Sequence, residues 1–483
     1  MNETVWDVLI EGGEIIDGAK RPRYQADVGI LGERIVAIGD LRGQRAKKHV
    51  DARGKIVAPG FIDAHTHDDH AVLFQPDMVF KVSQGVSTVV TGNCGISLAP
   101  MRAGQPLPAP LNLLGDGSLC FATFKAYVQA LHAAPSAVNV VPMVGHANLR
   151  VLAMEDLGRT ANPQEIAAMQ DLLQEALQAG AVGMSTGTYY PPSAAATTEE
   201  VIGVSQPLGA HQALYVTHMR NEADACMEAV EETFTIGAAV NTPVLISHHK
   251  HMREANFGKS TQTLARIAQQ MQCQCVSLDC YPYNASSTML HLDEERLQGK
   301  VVIASSGSHP ELQGQELGDI ALAWGVSRVE ASRRLQPASA IYFSMDEADV
   351  QRILAFEPTM IGSDGIPTGE QPHPRLWGTF PRVLGHYSRD VGLFPLETAV
   401  WKMTGLTAQV FGLPQRGVLA VGNFADVTVF DPHTVIDTAT YDQPKQAAAG
   451  IDCVLVNGQA VYESMACTGA RPGQVLQRAV APA

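Results

Sequence analysis

Along the chain the apolar positions change rhythm twice. From Val5 to about residue 56, short β-like runs such as VLIEGGEIIDG and DVGILGERIVAIGD alternate with turns at Gly12-Gly13, Gly18 and Gly32-Glu33. No helical period appears before residue 60. The middle then repeats apolar, β-branched runs: IVAPGFIDAHTH (56–67), STVVTGNC (87–94), NVVPMVGH (139–146), AVGMSTG (181–187), ALYVTHM (213–219), PVLISHH (243–249), CVSLDCYPY (275–283) and PTMIGSDG (358–365). Helical patterns lie between most of them. Eight strand–helix alternations predict an α/β fold of the (β/α)8, TIM-like barrel type. The texture of the first segment returns in GVLAVGNFADVTVFD and IDCVLVNGQAVYE. Two β-rich ends around a different middle predict one small β-sandwich built from both termini, residues 1–60 and 415–483, around a barrel at 61–414.

Start signals sharpen some of the helices. Asn162-Pro163-Gln164-Glu165 combines a cap, a proline at the first helical position and a glutamate three residues on. Thr197 to Glu200 reads as a second capping box, and Glu222 to Gly237 as a third amphipathic helix. Some seventy residues separate the seventh run from the eighth, too many for one crossover. An insertion at about 286–345, placed to cover the barrel mouth, accounts for them.

Composition narrows the possible partners. The chain has 483 residues, 46% hydrophobic and 17% charged, a globular profile. Its formal net charge of −15 argues against a nucleic-acid partner, because phosphate binding needs a cationic surface. No apolar run is long enough to span a bilayer, so no membrane partner is expected. Glu3 and Asp7 spoil the layout of a signal peptide, and the eight cysteines are sparse and irregular, which points to the cytoplasm. Cys273 and Cys275, the one tight pair, fall in a strand-like run and are expected to pack in the core.

The candidate chemistry gathers at strand ends. His65 and His67 share one face of a strand, since side chains alternate, and neutral imidazole is the commonest metal ligand. Alone, an HxH is more often a surface accident. Here Cys94, His146, His218, His248 and Asp364 end the second, third, fifth, sixth and eighth runs. The carboxyl ends of the strands are where barrel enzymes build active sites, so the set reads as functional. Tyr190, Ser287, Arg375 and Lys250 fall in segments that face the same mouth; for Lys250 a solvated surface position is an equal alternative. His146 reads as a wall residue or one that supports the ligands from behind, His249 and His251 as structural or exposed, and Asp68 and Asp69 as loop carboxylates that can orient His67.

APGFIDAHTH, with single histidines ending strands five and six and an aspartate ending strand eight, resembles the amidohydrolase superfamily. TGNCGISLAP, GTYYPP, SHHK and GSDG…HPRLWGTF are similar to the N-acyl-D-amino-acid deacylases, or D-aminoacylases, and the likeness spans essentially the whole chain. The resemblance implies zinc-dependent hydrolysis of the amide bond of an N-acyl-D-amino acid. Cys94, His218 and His248 would hold the tight zinc; His65 and His67, with Asp364, a weaker second site that need not be filled. Many amidohydrolases bridge two metals with a carboxylated lysine on strand four. Here that strand reads Gly183-Met184-Ser185-Thr186, and Cys94 is the implied substitute.

Asp364 is then the general base and acid, taking a proton from the attacking water and passing it to the leaving nitrogen. Arg375 is implied to pair two-pronged with the substrate carboxylate, with Ser287 touching the same group. Tyr190 would donate to the developing oxyanion, with Tyr189 a competitor for that role. Lys250 permits an acidic substrate side chain, whereas the apolar content of 284–292 leans toward a hydrophobic one. A cyclic-amide hydrolase of the hydantoin or dihydropyrimidine type ranks lower, because it usually carries the strand-four lysine. A non-catalytic scaffold would have lost ligands that are present here.

Overall fold

A computed structural model describes residues 5–102, 104, 107–115, 117 and 119–479. Residues 1–4 and 480–483 of the expected sandwich lie outside that range. Eight parallel strands form the barrel: Phe61–Asp63, Val86–Thr91, Asn139–Pro142 continued by Val144–Gly145, Gly183–Gly187, Leu214–His218, Val244–Ile246, Val276–Cys280 and Thr359–Ile361. The third position breaks at Met143, its first half pairing with the second strand and its second half with the fourth. Closure runs from the eighth strand to the first: Ala64 N donates to Ile361 O at 3.2 Å, Asp364 N to His65 O at 2.8 Å and His67 N to Gly365 O at 3.2 Å. These bonds bring the HxH segment and the Asp364 turn side by side, although about 300 residues separate them in sequence.

The strands are buried on both faces, which is why they read as continuous apolar runs rather than alternating ones. Pro163–Gln178 starts as its sequence predicts, with Asn162 Oδ1 accepting from the amides of Gln164 and Glu165 while Glu165 accepts from Asn162 N. The second predicted box is only half formed. Thr197 accepts from Glu200 N, but the Glu200 carboxylate turns away to Arg150 and Ala161 N. The third helix starts at Cys226, not Glu222; Glu222 belongs to the barrel mouth.

Strands from both ends of the chain share one nine-stranded sheet. Ile56–Pro59 lies parallel to Val5–Ile15 and antiparallel to Val427–Phe430, with Val57 opposite Val429. The expected sandwich is thus one continuous sheet closing on a core that includes Val8, Val28, Val57, Val427 and Leu455. Between the seventh and eighth barrel strands, Ser286–Met289, Lys300–Ser306 and Ala338–Phe343 make a separate antiparallel sheet. With helices Leu317–Trp324 and Arg328–Leu335 it packs its own core around Leu297, Ile303 and Leu335. Cys273 and Cys275 do not pack in a core: both are exposed, in the turn before the seventh strand begins at Val276. Among the described residues no helix is long and apolar enough to cross a membrane.

Candidate metal centre and active site

The barrel mouth gathers two overlapping donor sets, Cys94 with His218 and His248, and Cys94 with His65, His67 and Asp364. In each set the ligand-capable atoms lie within 4.8 Å of one another. Cys94 Sγ sits 3.2 Å from His65 Nε2 and 3.3 Å from His248 Nε2. Asp364 Oδ1 is 3.1 Å from His67 Nε2 and 3.4 Å from His65 Nε2. All six residues are buried. His146 lies outside both sets, at the start of helix His146–Ala153, with Nδ1 3.2 Å from Ser193 Oγ.

Backbone strain holds three of the ligands in place. Cys94, His248 and Asp364 adopt left-handed φ values of 53°, 35° and 50°, which non-glycine residues take only where the surroundings compel them. Around Cys94 the compulsion comes from Gly92 and Gly95, with φ of 78° and 79°. A Cβ on Gly92 would stand 2.0 Å from Met143 O, and one on Gly95 2.6 Å from Gly187 N. Thus TGNCG hugs the third and fourth strands while its thiol reaches His65 and His248. Ser185 Oγ braces the same loop, donating to Gly92 O and accepting from Gly95 N. His248 is set by Asp279, whose Oδ1 accepts from His248 N at 2.9 Å.

The electrostatics hold the two acids of the set, Cys94 and Asp364, ionised. Burial opposes ionisation of the Cys94 thiol, yet the imidazoles around it, His65 and His248 first, hold it well below the ordinary thiol range. Burial likewise opposes the Asp364 carboxylate, but Arg375, then His248 and His65, keep it ionised. Among the described residues, both ring nitrogens of His218, and Nδ1 of His65 and His67, are buried without a hydrogen-bond partner. One thiolate and two imidazoles converging, with polar atoms left unanswered, fit a zinc ion. The fourth strand offers neither carboxylate nor lysine, so Cys94 is the bridging candidate.

Tyr190, Ser287 and Lys250 line the cavity between this rim and the inserted sheet, and Arg375 lies behind Asp364, which also lines it. Arg375, fully buried, donates from Nη2 to Asp364 Oδ2 at 2.9 Å and to Ser287 O at 3.0 Å. Its Nε and Nη1 have no hydrogen-bond partner among the described residues, and its guanidinium lies 4.5 Å from the Tyr281 ring. Two unanswered donors on a planar cation suit a carboxylate. The Tyr190 and Tyr189 rings lie 4.8 Å and 5.1 Å from His218. Their hydroxyls meet Thr288 Oγ1 at 2.8 Å and His291 Nε2 at 3.3 Å. Lys250 faces the cavity but is no solvated lysine: it is 2% exposed, with Nζ 2.6 Å from Glu222 Oε1 and 2.7 Å from His248 Nδ1.

Sequence reasoning missed the residues that brace the ligands. Glu222 touches Lys250 and His248, and its Oε2 lies 3.5 Å from His218 Nε2. Asp279 lies one residue inside the end of the seventh strand, where the run continues beyond it, so the strand-end rule passes over it. Under the HxH, buried Lys81 pairs with Asp63 at 2.7 Å and Asp68 at 3.3 Å and donates to Ser363 Oγ at 2.8 Å. His249 and His251 are both buried and share the Thr263 hydroxyl.

Residues 48–274 and 297–462 match the amidohydrolase family. The chain belongs to that family. Among its members it is 57% identical to a D-aminoacylase of Alcaligenes xylosoxydans xylosoxydans, across 99% of this chain and 98% of that one. It is 50% identical to an N-acyl-D-aspartate deacylase of the same organism, across 97% and 95%. Amidohydrolases of known structure superpose on it closely. One is a D-aminoacylase studied for its binuclear centre, with one-metal activation and second-metal attenuation; it has a TM-score of 0.96 at 56% identity, covering 98% of this chain and 100% of that one. Another is an N-acyl-D-glutamate deacylase of Bordetella bronchiseptica with zinc and a phosphonate inhibitor, with a TM-score of 0.95 at 49% identity and the same coverage.

Proposed function

We propose that this chain is a zinc-dependent hydrolase of N-acyl-D-amino acids, releasing a carboxylate and a free D-amino acid. The observation that carries the reading is the convergence of Cys94, His218 and His248 beside Asp364 at the barrel mouth. The relatives' activities supply the substrate class. Zinc bound there supplies Lewis-acid chemistry, polarising a carbonyl and making water acidic enough to attack near neutral pH.

The chain's own groups do the rest. Asp364, held ionised by Arg375, accepts a proton from the attacking water and delivers it to the leaving nitrogen. Arg375 Nε and Nη1 take the substrate's α-carboxylate, which sets the D-centre relative to the scissile amide. Ser287 flanks that carboxylate. Tyr190 releases Thr288 and donates to the oxygen that gains charge. Lys250 lies at the side-chain end of the cavity, its charge already matched by Glu222. His65, His67 and Asp364 form the weaker second site, consistent with a relative in which a second metal attenuates activity. We further propose the division 1–60 with 415–483 for the β domain and 61–414 for the barrel, and a cytoplasmic location.

Zinc-loaded protein should release amine from N-acetyl-D-methionine, N-acetyl-D-aspartate or N-acetyl-D-glutamate but not from N-acetyl-L-methionine. Release from none of the D-compounds would refute the reading.

A further inference from the structure

Glu222 stands beside the imidazoles of the metal centre read above, and the role argued for it rests on that reading. A histidine nitrogen that binds a metal must be bare, so the other ring nitrogen must carry the proton. His248 Nε2 faces Cys94 Sγ at 3.3 Å, on the metal side. The proton therefore belongs on Nδ1. Two groups contend for that nitrogen, and they demand opposite tautomers. Glu222 Oε1, at 3.1 Å, can only accept and so requires Nδ1–H. Lys250 Nζ, at 2.7 Å, can only donate while charged, so it requires a bare Nδ1 and drives the proton to Nε2, where it would block the metal.

The geometry points to Glu222 as the positioning residue that decides this contest. We propose that its carboxylate selects the Nδ1–H form of His248 and draws off the Lys250 protons, so that Nε2 presents its lone pair to the metal. Glu222 Oε1 lies 2.6 Å from Lys250 Nζ, closer than Lys250 is to His248. The carboxylate is 3% exposed, so water does not take its place. Its backbone is fixed too, with Glu222 O accepting from Met252 N at 2.8 Å. The second oxygen faces His218 Nε2 at 3.5 Å, which puts one side chain beside both imidazoles of the tight site.

The test is zinc retention, read as metal per chain after dialysis against a graded chelator. Wild type, E222A, E222Q, K250M and E222A/K250M are compared, with melting temperatures confirming that each is folded. E222A should lose about 10–100-fold in zinc affinity, the usual cost of removing the partner of a ligating histidine. E222Q keeps an acceptor without the charge and should stay within about threefold of wild type, as should K250M. E222A/K250M should regain most of the loss, because the competing donor is gone. E222M, which fills the same space without an acceptor, replaces E222A if that variant does not fold. Zinc held equally by E222A and wild type, E222Q falling with E222A, or a double variant no better than E222A would each overturn the inference. Wild type that hydrolyses acyl-D-amino acids with no bound metal would instead overturn the functional reading beneath it.

Discussion

Replacing Lys81 by methionine removes the one cation among three side chains under the HxH segment. Lys81, Asp63 and Asp68 are all 0% exposed, and Lys81 is shared between both carboxylates and Ser363 Oγ. Asp63 Oδ1 also accepts from Ser363 N at 2.8 Å and from His65 N at 3.3 Å, so it ties the first barrel strand to the eighth. Methionine matches the lysine stem but leaves two buried carboxylates uncompensated. Breaking a buried pair from one side costs about 3–5 kcal/mol. With an unfolding entropy of about 2.1 cal/mol/K per residue, a cooperative unit of barrel size should melt about 4–7 °C lower. Thermal unfolding followed by circular dichroism measures this. The triple variant that also carries Asp63→Asn and Asp68→Asn should recover part of the loss, because no buried charge is left unpaired. A Lys81→Met protein melting within about 1 °C of wild type would refute the argument that this triad holds the two strands together.

Asp364→Asn should keep its zinc and lose at least about 100-fold in kcat, the usual worth of a general base; steady-state kinetics with metal analysis check both. Arg375→Lys should lower kcat/KM by about 10–100-fold, as a point charge cannot reproduce two fixed N–H bonds to a carboxylate, and the same kinetics decide it. Burial, then Arg150 and Arg220, push His146 down to about 3. Between the unfolded value near 6.5 and that folded value the unfolded chain binds more protons, so stability falls as pH drops from 6.5. By pH 5 the term is about 2 kcal/mol, so wild type should lose about that much more than His146→Asn between pH 7 and pH 5 in urea unfolding.

The barrel is legible in the sequence because strands buried on both faces must be apolar throughout, and a polar residue closing such a run stands out. Cys94, His218, His248 and Asp364 all announce themselves in this way. Asp279 does not, because Cys280 and Tyr281 continue its run past the strand end. Glu222 hides for another reason: it lies four residues before helix Cys226–Ala239 and fits its period, so pattern alone assigns it to the helix. Lys81 and Ser363 are 282 residues apart, and no local rhythm records an ion-pair network assembled across the barrel. For Lys250 the sequence leaves mouth and surface equally open, because a lone lysine beside two histidines gives no sign of a carboxylate 28 residues upstream. Cys273 and Cys275 mislead in the opposite sense, as a turn of mixed polarity runs straight into a strand.

The sheet shared by the two ends of the chain bears on synthesis. Ile56–Pro59 leaves the ribosome early, yet its antiparallel neighbour, Val427–Phe430, follows about 370 residues later. At about 5–20 residues per second, that strand edge waits roughly 20–70 s for its partner. Over that interval Ile56 and Val57, paired on one side with Glu14 and Ile15, present their other edge to nascent chains nearby.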